Sequence, residues 1–250
     1  TARNRKVALE QSDLAADLRR EIQGDVRFDS VSRMLYRTDA SIYEMEPVGL
    51  VVPRNAEDVA AVVRIAGTHR VPVLPRGGGT SLAGQSVGAA IHLDLSKYMN
   101  RVIELNVAEQ WVRVEPGVVL DELNALLKPH GLHFAPDVAT SSRANIGGMI
   151  GNNSCGTHSV LYGKTIDHVL ELSVVLSNGQ RLVLGPVSDQ ERARKAAQDD
   201  LEGQIYREIV RIADANEAEI KRRFPAVMRR VSGYNLDAFV ESDRQLDLTK

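Results

Sequence analysis

The sequence has a single cysteine, Cys155, so it can form no internal disulfide framework and hold no cysteine-ligated cluster. It has little net charge: 31 Lys+Arg stand against 33 Asp+Glu, a balance that argues against a protein built to coat nucleic acid or an anionic membrane. No apolar run approaches the roughly 18 residues of a membrane span. The opening TARNRKVALE carries no apolar signal-peptide core, so the expected location is cytoplasmic, with peripheral attachment to an inner membrane through a partner left open. Aromatic residues are sparse at 4%, which leaves a core to be built from aliphatic side chains. Glycine, by contrast, is plentiful at 19 residues, and those glycines are clustered.

Periodicity gives the elements. Val7 to Ile22 reads as an amphipathic helix, with Leu14, Leu18 and Ile22 four residues apart. The polar stretch after Gly24 has no clear period. Val48 to Val52 is a short strand ended by Pro53, Asn55 is placed to cap a helix through His69, and Val71 to Pro75 is a second strand. Strand, helix, strand at this spacing is a βαβ unit, so the two strands are expected to be parallel. Ala89 to Leu95 follows as a third strand. Val102 to Leu105 and Gln110 to Val114 form a hairpin, with Trp111 on one face and Val112 and Val114 on the other. Val118 to Leu127 suits a helix that Gly131 caps. Leu170 to Leu176 and Arg181 to Leu184, joined through Ser177-Asn178-Gly179, make the clearest hairpin in the chain. Ser188 to Phe224 is charged and helical, with a stripe of Leu201, Ile205, Ile209 and Ile212. The pattern is α+β in two lobes, a small parallel α/β lobe and a larger mixed or antiparallel one.

The glycines fall in two groups. PRGGGTSLAGQ, Pro75 to Gln85, sits between two strands. Three successive glycines let backbone N–H groups converge on an anion, and Thr80 and Ser81 add hydroxyls, so the loop suits a diphosphate. Taken alone it also suits a flexible surface turn, and it matches neither the G-x-G-x-x-G fingerprint nor a P-loop. The second group, ANIGGMIGNNSCGT from Ala144 to Thr157, alternates glycines with Ile146, Met149 and Ile150, a pattern suited to close packing on a flat ligand, and LYGKTIDHV follows from Leu161. The carboxamides of Asn152 and Asn153 offer donors and acceptors to a heteroaromatic edge. Two such segments, each read as lying beside strands, suggest one long ligand with a diphosphate in its middle.

This ordered set (PRGGGTSLAGQ, a Pro-Asp pair, IGGMIGNNSCG, YG, then a strand ending in SNG) resembles the PCMH-type FAD-binding domain of the vanillyl-alcohol-oxidase flavoproteins. Within them it is most similar to the FAD-linked 2-hydroxyacid oxidoreductases: glycolate oxidase FAD subunits, D-lactate dehydrogenases and D-2-hydroxyglutarate dehydrogenases, the long form fused to an iron–sulfur segment above all. The resemblance spans Tyr36 to Gly185 and extends to RRVSGYNLD, Arg229 to Asp237. It implies FAD held by Pro75, Arg76, Gly77, Gly78, Gly79, Thr80, Ser81, Leu82, Gly84 and Gln85 around the pyrophosphate. Pro136, Asp137, Thr140 and Ser141 would line the approach to the flavin. Gly147, Gly148, Gly151, Asn152, Ser154 and Gly156 would hold the other flank, with Tyr162 and Gly163 close by. Relatives that attach FAD covalently through the first loop carry His where this chain has Thr80 and Ser81, so the expected FAD is non-covalent and dissociable.

The division the resemblance implies is an N-terminal helical arm over residues 1–46, a first FAD-binding lobe over 47–106, and a second over 107–250. The second lobe would carry a charged helical insertion at about 188–232 and be cut short before a cap domain. In such enzymes a base takes the α-hydroxyl proton while the α-hydrogen passes to flavin N5 as hydride, and electrons go on to an iron–sulfur domain or subunit, or to a quinone. The base and the carboxylate clamp belong largely to the cap, so no catalytic residue is assigned in this chain. The alternative is a non-catalytic FAD-binding module or accessory subunit. A UDP-N-acetylenolpyruvylglucosamine-reductase-like enzyme, which shares the fold, fits LAGQ and IGGMIGNNSCG less well.

Other candidates stay bland. His130 and His133 are separated by the helix-ending Gly131, so no metal site is expected. His158 and His168 flank the YG element and suit either a flavin-facing or a surface place. Cys155 is expected as a small buried residue. Arg222, Arg223, Arg229 and Arg230 could clamp a carboxylate, dock a partner or simply be solvated. Arg37, Asp39 and Tyr43 show no pattern that assigns them work.

Overall fold

The structure, a computed structural model, describes residues 2–231, 233–240 and 245–250. A long helix α1 (Ala2–Glu21) leads into β1 (Asp25–Arg27), α2 (Ser30–Tyr36), β2 (Gly49–Val52), α3 (Ala56–Thr68), β3 (Val73–Arg76) and β4 (Ile91–Asp94). The four strands form one sheet in the order β1-β2-β4-β3, with β2 and β3 both parallel to β4 and β1 antiparallel at the edge. The two strands of the βαβ unit are therefore parallel but not adjacent, because the third strand inserts between them. The aliphatic faces of α1 and α3 pack together on this sheet: Leu14, Leu18, Ile22, Val51, Val62, Ile65, Ile91 and Leu93 make the first core. Asn55 caps α3 by accepting from Asp58 N at 2.9 Å, as its side chain suggests. The Asp58 carboxylate in turn takes the N–H groups of Gln23, Gly24 and Arg54 and ties the end of α1 to the sheet.

His92 lies fully buried in the middle of β4, its Nε2 bonded to Gly88 O at 3.0 Å and its Nδ1 without a partner. Burial pushes the imidazole below its ordinary 6.5, and the nearby Arg76 charge adds to that, against the Gly88 hydrogen bond. The unfolded chain therefore binds a proton that the folded chain refuses, so stability is full above pH 6.5 and falls as the pH drops below it towards the lowered native value. His92→Leu, which leaves Gly88 O still bonded by Ala90 N, is expected to flatten the pH dependence of the urea midpoint between pH ~6.5 and ~5, above the carboxylate range.

The rest of the chain builds a second core. The hairpin β5 (Val102–Asn106) and β6 (Trp111–Val114) directs Val102, Leu105, Val112 and Val114 onto α4 (Leu120–Leu127) and α5 (Ile146–Gly151), where Leu120, Leu123, Leu127, Ile146 and Met149 are buried. Trp111 instead donates to Glu109 at 2.7 Å. Gly131, at φ +69, ends the 3₁₀ turn that extends α4. After α6 (Ser159–Tyr162) come the paired β7 (Leu172–Val175) and β8 (Arg181–Leu184), turning at Gly179 with φ +84. Then β9 (Pro186–Val187), α7 (Asp189–Ala196), α8 (Leu201–Ala215), α9 (Glu217–Arg223) and β10 (Leu246–Asp247) follow, with β9 and β10 antiparallel. On α8 the fully buried positions are Tyr206 and Ala213, and the expected stripe of Leu201, Ile205, Ile209 and Ile212 is only half-buried, because α7 packs against a neighbouring face of α8.

Candidate functional site

The loop from Gly77 to Ser86 makes up most of the 77–90 connection from the carboxyl end of β3 to β4, the edge of an open α/β sheet where ligands gather. Gly79 and Gly84 have φ of +65° and +79°, which no side-chain-bearing residue adopts cheaply. Ser81 Oγ bonds Gln85 Oε1 across the loop. The Arg76 guanidinium donates to the carbonyls of Tyr36 at 3.2 Å, Thr38 at 2.8 Å and Ser86 at 2.8 Å. Leu82 at the tip is 81% exposed.

The second glycine segment comes to meet the first. A Cβ on Gly78 would lie 2.3 Å from Arg143 O, and one on Gly77 would lie 2.6 Å from Asn145 Oδ1. Gln85 Nε2 donates to Asn152 Oδ1 at 3.1 Å. Contrary to the strand-flanked loop expected, residues 146–151 form the short helix α5, whose first N–H groups go to other turns: Ile146 N to Val118 O at 2.8 Å and Gly147 N to Pro116 O at 2.9 Å. Gly147 packs on Pro116, whereas a Cβ on Gly148 or Gly151 would meet nothing within 4 Å. One side of α5 is thus smooth, open backbone beside Asn152. Along it runs a cavity of about 220 Å³ lined by Ile150, Gly151, Asn152 and Asn153 on one wall and Asn235, Thr249 and Lys250 on another. Lys250 Nζ donates to Ile166 O and Val169 O at 3.1 and 2.7 Å. The RRVSGYNLD stretch reaches this cavity through Val231, Gly233 and Asn235, while its Ser232 lies outside the described residues.

Asp137 fastens the approach segment. It takes hydrogen bonds from Thr157 Oγ1, His158 N and His158 Nδ1 (the last at 2.8 Å), and Gly156 lies so close that a Cβ would be 2.2 Å from Asp137 O. Partial burial opposes the Asp137 charge, but the bonds from His158 and Thr157 outweigh it and hold the carboxyl below the usual aspartate range. Pro136 is buried, and Thr140 O accepts from Arg143 N and Ala144 N, both at 2.8 Å. Ser141 N donates to Val138 O, and Ser141 O accepts from Asp121 N. Ser154 O accepts from Thr165 N and Oγ1. Tyr162 stands edge-on to His133, 5.5 Å between ring centres, and its carbonyl bonds His168 Nε2 at 2.7 Å. Gly163 follows at φ +75. Cys155 is half-buried rather than buried, since it lies on the exposed 151–158 turn.

The basic cluster does not converge. Arg222 and Arg223 pair with Glu219, Arg230 pairs with Asp237, and Arg229 Nε donates to Ser159 Oγ at 2.7 Å. Conversely, sequence reasoning undervalued the segment from Tyr36 to Tyr43. The Tyr36 hydroxyl bonds Asp94, Ala40 N donates to Gly79 O at 3.0 Å, Asp39 takes Ser86 Oγ at 2.8 Å, and the Tyr43 ring covers Gly84. It also missed Asn145, whose Nδ2 donates to Gly117 O at 2.8 Å while its buried Oδ1 has no partner. An asparagine directly before Ile-Gly-Gly was the available signal.

Residues 47–185 match the family model described as FAD binding domain. Among curated proteins, D-2-hydroxyglutarate dehydrogenase of Pseudomonas putida is 44% identical over 217 residues, 86% of this chain and 22% of that protein. Glycolate oxidase subunit GlcD of Bacillus subtilis is 34% identical over 169 residues, 66% of this chain and 36% of that protein. The chain thus spans less than a quarter of the length of the D-2-hydroxyglutarate dehydrogenases it matches. Among solved structures, 4-ethylphenol oxidase from Gulosibacter chungangensis superposes with a TM-score of 0.61 at 24% identity, over 79% of this chain and 40% of that one. For p-cresol methylhydroxylase the TM-score is 0.59 at 24% identity, over 72% of this chain and 37% of that one.

Proposed function

The chain belongs to the FAD binding domain family, with the two-lobed PCMH-type fold and FAD as its cofactor, and from that premise we propose that it is the flavin-holding part of a 2-hydroxyacid oxidoreductase acting on a D-2-hydroxyglutarate-type substrate. The observation that carries the proposal is the meeting of the two glycine segments, Gly78 against Arg143 and Gln85 bonded to Asn152. The fit to FAD is supported by this chain's own atoms. Bare glycine backbone fills positions where a Cβ would collide, Gly148 and Gly151 leave a smooth open face, and the unpartnered Asn145 oxygen marks a polar centre between the two segments. In this reading Gly77 to Ser81, with Leu82, Gly84 and Gln85, embrace the pyrophosphate between the positions of Pro75 and Ser86. Gly147, Gly148, Gly151, Asn152, Ser154 and Gly156 carry the other flank. Pro136, Asp137, Thr140, Ser141, Tyr162 and Gly163 shape the approach.

When bound, FAD supplies a two-electron acceptor for the substrate's α-hydrogen. This chain's residues would bind and orient it: backbone N–H groups of the first loop would take the anion, and Asp137, by fixing Thr157 and His158, would hold the 156–158 turn in place for it. Thr80 and Ser81 offer no imidazole for attachment, so the flavin is dissociable and is expected to leave the protein on acid precipitation. The substrate's base and the electron acceptor, an iron–sulfur or quinone centre, belong to the longer polypeptide in this proposal.

The test is anaerobic bleaching of the visible flavin band. The full-length protein and this chain, each loaded with FAD, are mixed with D-2-hydroxyglutarate, D-lactate or glycolate. Bleaching of the full-length protein by D-2-hydroxyglutarate is the expected result. Flavin uptake with no bleaching by any of the three removes the hydroxyacid assignment.

A further inference from the structure

We infer that Arg76 is a positioning residue, a clasp that holds the glycine loop in its receiving shape without itself touching the ligand, in place of the pyrophosphate contact the resemblance implies for it; this rests on the FAD reading above. Arg76 is the last residue of β3, where the connection starts, and its Nη1 reaches Ser86 O, just past the glycine-rich part of that connection, at 2.8 Å. One side chain therefore closes the two ends of the glycine-rich stretch on each other. The same guanidinium reaches back to Tyr36 O and Thr38 O, so the segment that backs the loop is fastened by the same fork. That segment in turn grips the loop through Ala40 N to Gly79 O, where a Cβ would fall 2.7 Å from Arg76 Nη2. The Tyr36 ring lies 5.2 Å from the guanidinium, and its hydroxyl is anchored on Asp94, the partner of Arg76 in the parallel β3–β4 register. Both Nη1 donors are spent on the carbonyls of Tyr36 and Ser86, and Nη2 gives one to Thr38 O. A planar five-donor fork reaches three carbonyls on two segments from separate nitrogens, whereas a lysine must donate from a single atom.

A clasp of this kind changes the fraction of molecules whose loop is ready, and apparent affinity falls by that fraction. In Arg76→Lys, FAD affinity is expected to fall about tenfold, from slower association, while the dissociation rate and the visible spectrum at saturation stay as in the wild type. Arg76→Ala is expected to lose more and to regain association rate with added millimolar guanidinium. The measurements are stopped-flow flavin fluorescence and a visible titration. Unchanged association overturns the inference, as does faster dissociation or an altered saturated spectrum, which would place the side chain on the ligand. If the Arg76 variants do not fold, Tyr36→Phe decides: slower association supports the clasp, and wild-type association overturns it. Failure of the wild-type chain to bind FAD at all sinks the cofactor reading instead.

Discussion

Gly78→Ala is expected to yield a folded chain with FAD affinity lowered on the order of 100-fold, about 2.7 kcal/mol of binding energy. The new methyl would sit 2.3 Å from Arg143 O. The obstacle is backbone, held by Arg143 N and Ala144 N on Thr140 O, so it cannot swing away as a side chain would. The loop must retreat by about an ångström to restore ordinary contact, and misplacements of that size are what preorganised sites tolerate least. The loss falls on binding because Gly78 belongs to neither core, and a displaced loop leaves the sheet beneath it intact. Gly67→Ala is the matched control. It lies in α3 with nothing within 4 Å of the new methyl, so it should leave FAD affinity unchanged and stabilise the fold by roughly 0.5–1 kcal/mol. Equilibrium titration of flavin fluorescence, with urea unfolding of each FAD-free variant, separates the two effects. Equal affinities for Gly78→Ala and Gly67→Ala would remove the first loop from the site.

The parts of this protein that were legible in its sequence are those whose cause is local. Leu14, Leu18 and Ile22 recur at helical spacing and all three enter the first core. Asn55 caps α3 and Asn178-Gly179 turns the β7–β8 hairpin, because in both places a short polar or flexible residue answers a backbone requirement within three residues. The FAD signature was legible for the same reason, as an ordered string of glycines. The unread parts depend on what lies across the chain. Residues 146–151 carry three glycines, each costing a helix up to about 1 kcal/mol, and propensity alone denies a helix there. It forms because Val118 O and Pro116 O receive its first two N–H groups and because Ile146 and Met149 are drawn into the second core. The strand β1 has three residues and no alternation to read; its pairing with β2 defines it. The work of Tyr36 to Tyr43 was invisible because its partners, Arg76, Gly79, Gly84, Ser86 and Asp94, are 38 or more residues away along the chain. Sequence periodicity can state that a loop is rich in glycine, but it cannot state what lies behind that loop.

Gly117→Ala is expected to damage folding severely, lowering stability by about 3 kcal/mol or more, at the upper end for overpacking. Its Cβ would be 2.2 Å from Leu95 O and 2.6 Å from Met99 O, both backbone atoms. Gly117 N already donates to Met99 O at 2.7 Å, and Gly117 O accepts Asn145 Nδ2 at 2.8 Å, so the residue is fixed from both sides. Leu95 packs on the first core, while Val118 next door belongs to the second, so Gly117 sits where the two cores are joined. Relieving the clash must either pull the 95–99 turn from the sheet or push the 116–118 turn outward. The second route takes with it the carbonyls of Pro116 and Val118 that start α5, and it releases Asn145 from beneath Gly77. Folding and cofactor binding should therefore fail together in this variant, in contrast to Gly78→Ala, where only binding fails. Urea unfolding of the FAD-free protein is the measurement, with a large drop in midpoint at an unchanged m-value as the expected result. Saturating FAD should recover little of that loss, because linkage stabilises only in proportion to ligand over Kd and the same change raises Kd. A wild-type midpoint in Gly117→Ala would show that the 95–99 and 116–118 turns can separate freely, and the joint between the two cores would have to be sought elsewhere.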